Sequence, residues 1–388
     1  MSDVEDAYEL SPTQEGMLFH GLDDGSSGVD LEQVVGTLEE ALHETAFREA
    51  WERVIARHAI LRTAFRWDGL TAPRQEVHRH VTVAWERLDW RDVSVEERAG
   101  RREALLAADR RLPFDLARTP LMRFALVAEG DALWTFLWSF HHALLDGRAF
   151  PLVLREVFAA YDALRTGEAW EPPAPRSYRD YIVWLRGRDM AAAEEYWTRT
   201  LEGFRAPTPV GVSRGPGAAE DGMGACEVRV SEVRTSALRE FARTHDLTLN
   251  TLLQGAWALL LHRYTGEEDI VFGSTRACRR SALGGADDLV GLLINTLPIR
   301  VRVEPRAALV PWLRRLREIQ IALRPHEHTP LVKVKGWSQV PRGRPLFESL
   351  VVFDNETLEA GLRRLGGAWS RRRFIYRGQT NYPVTLIG

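Results

Sequence analysis

The stretch ALWTFLWSFHHALLDG, residues 132–147, decides how the chain is read. Trp134, Phe136, Trp138 and Phe140 alternate with Leu133, Thr135, Leu137 and Ser139, a period of two that predicts a strand at least partly buried on both faces. Asp146-Gly147 predicts a turn. Beyond it Phe150, Val153, Leu154, Val157, Phe158 and Tyr161 recur at helical spacing, with Pro151 tolerated in the first turn. The strand thus delivers His141 and His142 to the point where the chain turns into a helix. Neighbouring side chains on a strand point to opposite faces, so one imidazole faces a cleft and the other the core. The same geometry argues against a paired-histidine metal site, which needs both rings on one face, and no metal is expected. Asp146, four residues on, is expected to brace the loop.

Outward from this stretch, Phe47, Trp51, Val54 and Ile55 form one stripe of a helix over 45–58, and a strand-like segment follows at 60–67. Two Pro/Gly-rich segments, 166–176 and 205–224, read as loops or linkers flanking a helical stretch over 178–201. The pattern then begins again. Strands are expected at 226–230, 269–273, 294–303 and 350–353, and helices at 236–245, 248–264 and 309–323, with Gly266 as a stop. Strands alternating with amphipathic helices in both halves predict an α/β chain of two lobes, 1–176 and 177–388.

Composition narrows the class. A chain of 388 residues is about two to three times a common single-domain length. The 51 basic and 54 acidic side chains leave a net charge of −3, so no global field exists to hold nucleic acid. Two cysteines, Cys226 and Cys278, exclude a disulfide scaffold or a four-cysteine zinc site and suit a reducing cytoplasm. The N-terminus lacks the apolar run of a secretory signal, and no stretch approaches about 18 uninterrupted apolar residues, so no membrane partner is expected. The GxSxG spelled by Gly211 to Gly215 sits in a Pro/Gly-rich loop rather than between a strand and a helix, which disfavours a nucleophile elbow.

HHALLDG at 141–147 resembles the HHxxxDG motif of condensation domains from nonribosomal peptide synthetases. SPTQEGMLFH (11–20), RHAILRTAF (57–65), SYRDYIVWL (177–185), VGLLINTLPIRV (290–301), GRPLFESLVVFDN (343–355) and TNYPVTLIG (380–388) are similar to that family's other core motifs, in the family's order. The resemblance covers the chain end to end. It implies two lobes of chloramphenicol-acetyltransferase type forming a V-shaped pseudo-dimer, with a tunnel where donor and acceptor thioesters meet at His142. It further implies a floor loop at about 273–288 and a latch in the C-terminal lobe, whose last strand and helix would lie beyond residue 388 and leave 384–387 as an open sheet edge. His141, Asp146, Gly147 and Arg62 would be structural, with Asp146 ion-paired to Arg62 and Gly147 admitting the reacting carbonyl.

No tightly bound cofactor is implied. The partners would be an acceptor carrier protein with its phosphopantetheine arm, acyl-CoA or a donor carrier protein as donor, and an adjoining adenylation domain, with the domain itself a monomer. Two roles stay open for His142: a general base for the amine, or a hydrogen bond that positions it and steadies the tetrahedral intermediate. Arg148 reads either as an ion-paired helix-start residue or as a gate on the donor channel. Asn295 and Ser349 read as satisfied core polar groups or as substrate contacts. Arg276, Arg279 and Arg280 read as solvated or as phosphate partners, and His326 and His328 as surface residues. Arg148, together with the motif beginning ten residues from Met1, favours the starter subtype, which N-acylates the first amino acid from acyl-CoA. The starter subtype is the preferred expectation; the forms QEGMLFH, SYRDYIVWL and GLLINTLP carry the alternative, the subtype that extends a carrier-bound peptide ending in a D-residue. An inactive docking platform is the alternative of another class.

Overall fold

A computed structural model describes residues 3–23, 29–210, 224–279, 281–354 and 358–388. The GxSxG at 211–215 and Arg280 lie outside the described residues. Among these are twelve strands: β1 (Val4–Glu9), β2 (Leu31–Leu38), β3 (Thr63–Arg66), β4 (Arg74–His78), β5 (Trp85–Asp89) and β6 (Met122–Gly130), then β7 (Leu133–His141), β8 (Asp269–Ala277), β9 (Ile294–Arg302), β10 (Ser349–Val352), β11 (Arg372–Arg377) and β12 (Val384–Ile387). The chain forms two compact units. The first comprises 1–188, 277–294 and 355–381, and the second 189–276, 295–354 and 382–388. The expected cut at 176/177 follows the loop composition, whereas the observed one falls between the helices Tyr178–Arg186 and Met190–Thr200. Gly187 and the N-capping carboxylate of Asp189 split what reads as one helical stretch.

In the first unit β7 runs centrally in a five-stranded sheet ordered β11-β2-β7-β6-β5, in which only β5 and β6 are parallel. The even-numbered β7 side chains Trp134, Phe136, Trp138 and Phe140 pack with Phe47, Trp51 and Val54 of helix Glu44–Arg57 and with Val153, Val157 and Phe158 of helix Ala149–Thr166. Trp51 meets Trp138 edge-on at 4.8 Å between centroids. On the opposite face Leu137 joins Val35, Ala125 and Leu106, the last from helix Val95–Arg110. Both faces of β7 are thus covered by helices, which is why the strand is largely apolar on both faces, its buried Thr135 and Ser139 hydroxyls donating to Glu129 and Asp109. A smaller sheet, β1-β4-β3, is antiparallel throughout.

The second unit holds a four-stranded sheet, β12-β10-β8-β9, in which β10 runs parallel to both β8 and β12, leaving β12 at an edge. Helices Leu249–Thr265 and Leu309–Ala322 cover it with Trp257, Leu261, Trp312, Leu313 and Leu316. They approach so closely that a Cβ on Gly255 would strike Leu313. The expected Gly266 stop is observed, with a left-handed φ of 76°. The expected strand at 226–230 is not formed: these residues are exposed and pair with no strand, because Cys226, Val228 and Val230 alternate without a neighbouring edge to bond. No described helix is long and apolar enough to cross a membrane.

Candidate active site

The site is built where β7 ends. The ladder between β2 and β7 sets Leu31 opposite His141 and Glu32 opposite Phe140, and the His142 N–H continues it to the Asp30 carbonyl at 2.8 Å. Alternation then separates the two imidazoles as expected. His141 is buried, and its Nδ1 accepts the Ala143 N–H at 3.1 Å. Burial, reinforced by the neighbouring His142, pushes its pKa down to about 3. The folded protein therefore keeps His141 neutral while the unfolded chain binds a proton below the ordinary histidine value of 6.5. Stability contributed by this group is complete above about 6.5 and is lost as pH falls from there toward 3. His141→Gln should flatten that part of the stability-versus-pH curve measured by denaturant unfolding, and an unchanged slope would show that His141 carries none of it.

His142 lies on the other face, its side chain 18% exposed. Its Nδ1 is 2.8 Å from the Leu145 carbonyl oxygen, within the same turn. A carbonyl can only accept, so Nδ1 carries the hydrogen and the lone pair of the neutral ring sits on Nε2. Nε2 in turn is 3.9 Å from Oε1 of Glu32, whose side chain is only 2% exposed. Burial raises the Glu32 carboxyl above the usual carboxylate range, while His142, a hydrogen bond from Tyr376 and Arg110 draw it back. Glu32 goes unnoticed in the sequence reading. The available signal is a charge at an even-numbered position of β2, on the face where Val34 and Leu38 are core.

Asp146 braces the turn, but through a different partner. Its Oδ1 accepts the Arg148 and Ala149 N–H groups at 3.0 and 2.9 Å and the Arg279 guanidinium at 2.8 Å, and its Oδ2 accepts the Leu293 N–H at 2.8 Å. The expected Asp146–Arg62 pair is not present. Arg62, in the 3-10 turn before β3, is committed to Glu5 of β1 at 2.8 Å and to the His78 carbonyl at the end of β4. Arg279, read as solvated or as a phosphate partner, is instead buried, and it also donates to the carbonyls of Ala286 and Leu289. The segment 277–294 is fastened to the first unit by this pair and by the Tyr178 hydroxyl on the Leu292 carbonyl at 2.8 Å. Arg276 is likewise not a free solvated cation: it pairs with Glu327 in the second unit.

Gly147 and Arg148 are exposed. No described atom lies within 4 Å of where a Gly147 Cβ would stand, so no packing neighbour demands glycine there. The Arg148 guanidinium makes no ion pair among the described residues, and its backbone N–H serves Asp146. Asn295 and Ser349 lie in the second unit. Asn295 donates to the carbonyls of Glu327 and Thr329 at 2.9 and 2.7 Å, and the Ser349 hydroxyl accepts the Trp257 indole N–H at 3.1 Å. His326 is half-buried and stacked on Tyr196 at 4.3 Å, so it is not a plain surface residue.

The profile of the Condensation domain family matches residues 4–387. The chain is 41% and 42% identical, over 99% of its length, to linear gramicidin synthase subunits C and B of Brevibacillus parabrevis. It spans only 5% and 7% of those subunits. Its fold superposes on the first condensation domain of the calcium-dependent antibiotic synthetase, solved with a substrate analogue, at TM-score 0.77 and 17% identity over 99% of this chain and 88% of that one. A double mutant of the starter condensation domain of rhizomide synthetase RzmA, solved with C8-CoA and Leu-SNAC, matches at TM-score 0.75 and 22% identity over 90% of this chain and 78% of that one. With the HHxxxDG turn and the family's α/β fold both in place, the chain belongs to the condensation domains of nonribosomal peptide synthetases, which are amide-forming acyltransferases.

Proposed function

We propose that His142 is the general base for attack of a carrier-bound aminoacyl amine on an acyl thioester. The observation that carries this reading is the Nδ1–Leu145 hydrogen bond, which puts the free lone pair on Nε2. The neutral amine attacks the thioester carbonyl carbon and forms the C–N bond, and one N–H proton passes to Nε2. As the tetrahedral intermediate collapses, the C–S bond breaks and the imidazolium returns that proton to the leaving thiolate, so His142 ends neutral. Holding both tethered reactants in line contributes about 7 kcal/mol or more. The open space above Gly147 suits a close-approaching carbonyl.

The donor in this reading is a carrier-bound peptide, ending in a D-residue as the motif forms suggest, and the acceptor sits on the phosphopantetheine arm of a second carrier protein loaded by an adenylation domain. Support comes from the 41–42% identity to synthase subunits of which this chain spans 5–7%. A unit lying within chains that long can receive its donor on a tether. Starter chemistry with acyl-CoA is the second reading, favoured by the exposed Arg148 guanidinium, a fit for a phosphate ester. Offering the protein an aminoacyl carrier with either a peptidyl carrier or an acyl-CoA, and following the acceptor by intact mass, separates them. Mass gain from the peptidyl carrier is expected, and transfer from acyl-CoA alone reverses the order. In the acyl-CoA case Arg148→Ala should raise the donor KM about tenfold with kcat little changed.

A further inference from the structure

A carboxyl at 2% exposure is costly to bury, and a neutral side chain of the same shape would cost the fold less. We propose that Glu32 is a positioning residue for amide formation, its carboxylate balancing the positive charge that His142 acquires on taking the acceptor's proton. The proposal rests on the general-base reading of His142 and adds to it a residue outside the HHxxxDG turn.

The geometry carries it. Nδ1 is committed to Leu145, so the ring edge that gains a proton is Nε2, the atom 3.9 Å from Glu32. The pair arises from the sheet register. Glu32 faces Phe140 across the ladder, and His142, two residues beyond Phe140 on the same face, is its diagonal neighbour. Little solvent reaches the carboxylate, so its interaction with an imidazolium is weakly screened. The carboxyl is also held in place. The Tyr376 hydroxyl of β11 hydrogen-bonds to it, and the Tyr376 ring stacks on Phe150 of the helix that follows the turn, 5.0 Å between centroids at 18°. A Cβ on Gly378 would collide with both the carboxylate and the Tyr376 hydroxyl, so the chain passes here with only a glycine's width.

The charged groups facing Glu32 are few. Beyond His142 and Tyr376 they are Asp30, which opposes ionisation, and Arg110 at the end of helix Val95–Arg110, which favours it. Arg110 donates to the Leu31 carbonyl at 2.8 Å, to Gln33 at 3.1 Å and to the Arg377 carbonyl at 2.9 Å. After burial, His142 is the largest influence on the Glu32 carboxyl. His141 lies on the other face and stays neutral.

Glu32→Gln keeps the shape and an acceptor for Tyr376 while removing the charge. In the intact protein, with a carrier-bound acceptor, kcat/KM at its pH plateau should fall about tenfold. The acid limb of the pH profile should move about one unit lower, because an imidazolium without its counter-charge is less stable. Glu32→Asp, which retains the charge, should bring the limb back toward wild type. Tyr376→Phe, at a partly exposed ring, should move it in the same direction as Glu32→Gln but less far, and serves if the buried substitution unfolds the chain. A slower Glu32→Gln enzyme whose acid limb stays put, or an unaltered one, overturns the role of Glu32 provided His142→Ala is inactive. Turnover retained in His142→Ala instead removes the general-base reading itself.

Discussion

His142→Ala should lower amide formation by about 10²–10⁴-fold, the span that a positioned acid–base group contributes. The loss should appear in kcat, since the imidazole acts on the proton that moves as the C–N bond forms and not on either arm that carries a reactant. The folded state should survive, because the ring is partly exposed and, among the described residues, makes one hydrogen bond, to the Leu145 carbonyl in its own turn. Residual turnover would measure what alignment of the tethered reactants achieves alone. The measurement is single-turnover transfer to an aminoacyl carrier, with circular dichroism as the control for folding. Undiminished transfer would sink the assignment of His142. A wild-type protein that binds carrier without transferring would point to the docking platform instead.

Local structure was legible where the chain's own periodicity reports burial. β7 reads correctly because helices cover both of its faces, which makes every position from Leu133 to Phe140 apolar or small. The helix after Asp146 reads correctly because its apolar stripe faces that same sheet. The segment 226–230 shows the limit: its alternation is genuine, but a strand exists only with a partner edge, and that depends on chain far away in sequence.

The candidate site divides along the same line. His142 and Asp146 are set by the local turn and were legible from it. Their partners were not. The resemblance assigns Arg62 to Asp146 and leaves Arg279 as a solvated or phosphate-binding residue, and only the return of segment 277–294 to the first unit selects Arg279. Glu32 reaches His142 through a strand register, and a one-residue slip of β2 would turn it to the opposite face.

Breaking the Asp146–Arg279 pair should cost about 3–5 kcal/mol, since either single alanine leaves an unpaired charge where both side chains are at most 1% exposed. Arg62→Ala should cost about 1–2 kcal/mol, because its carboxylate partner, Glu5, is 44% exposed and the chief loss is a carbonyl contact. Denaturant unfolding of Asp146→Ala, Arg279→Ala and the double variant tests the pairing directly. The double variant should lose much less than the sum of the singles, whereas Arg62→Ala should add to Asp146→Ala without coupling. Coupling with Arg62 and none with Arg279 would restore the pairing implied by family resemblance. The activity of each variant, counted per folded molecule, then separates two roles. Asp146 holds the first N–H groups of the helix after the turn and the N–H of Leu293, so its removal frees the backbone on both sides of the His142 loop. Among the described residues the Arg279 guanidinium hydrogen-bonds Asp146 and carbonyls of its own segment. Folded Arg279→Ala should therefore retain more activity than folded Asp146→Ala: the arginine secures the segment, while the carboxylate also fixes where His142 points.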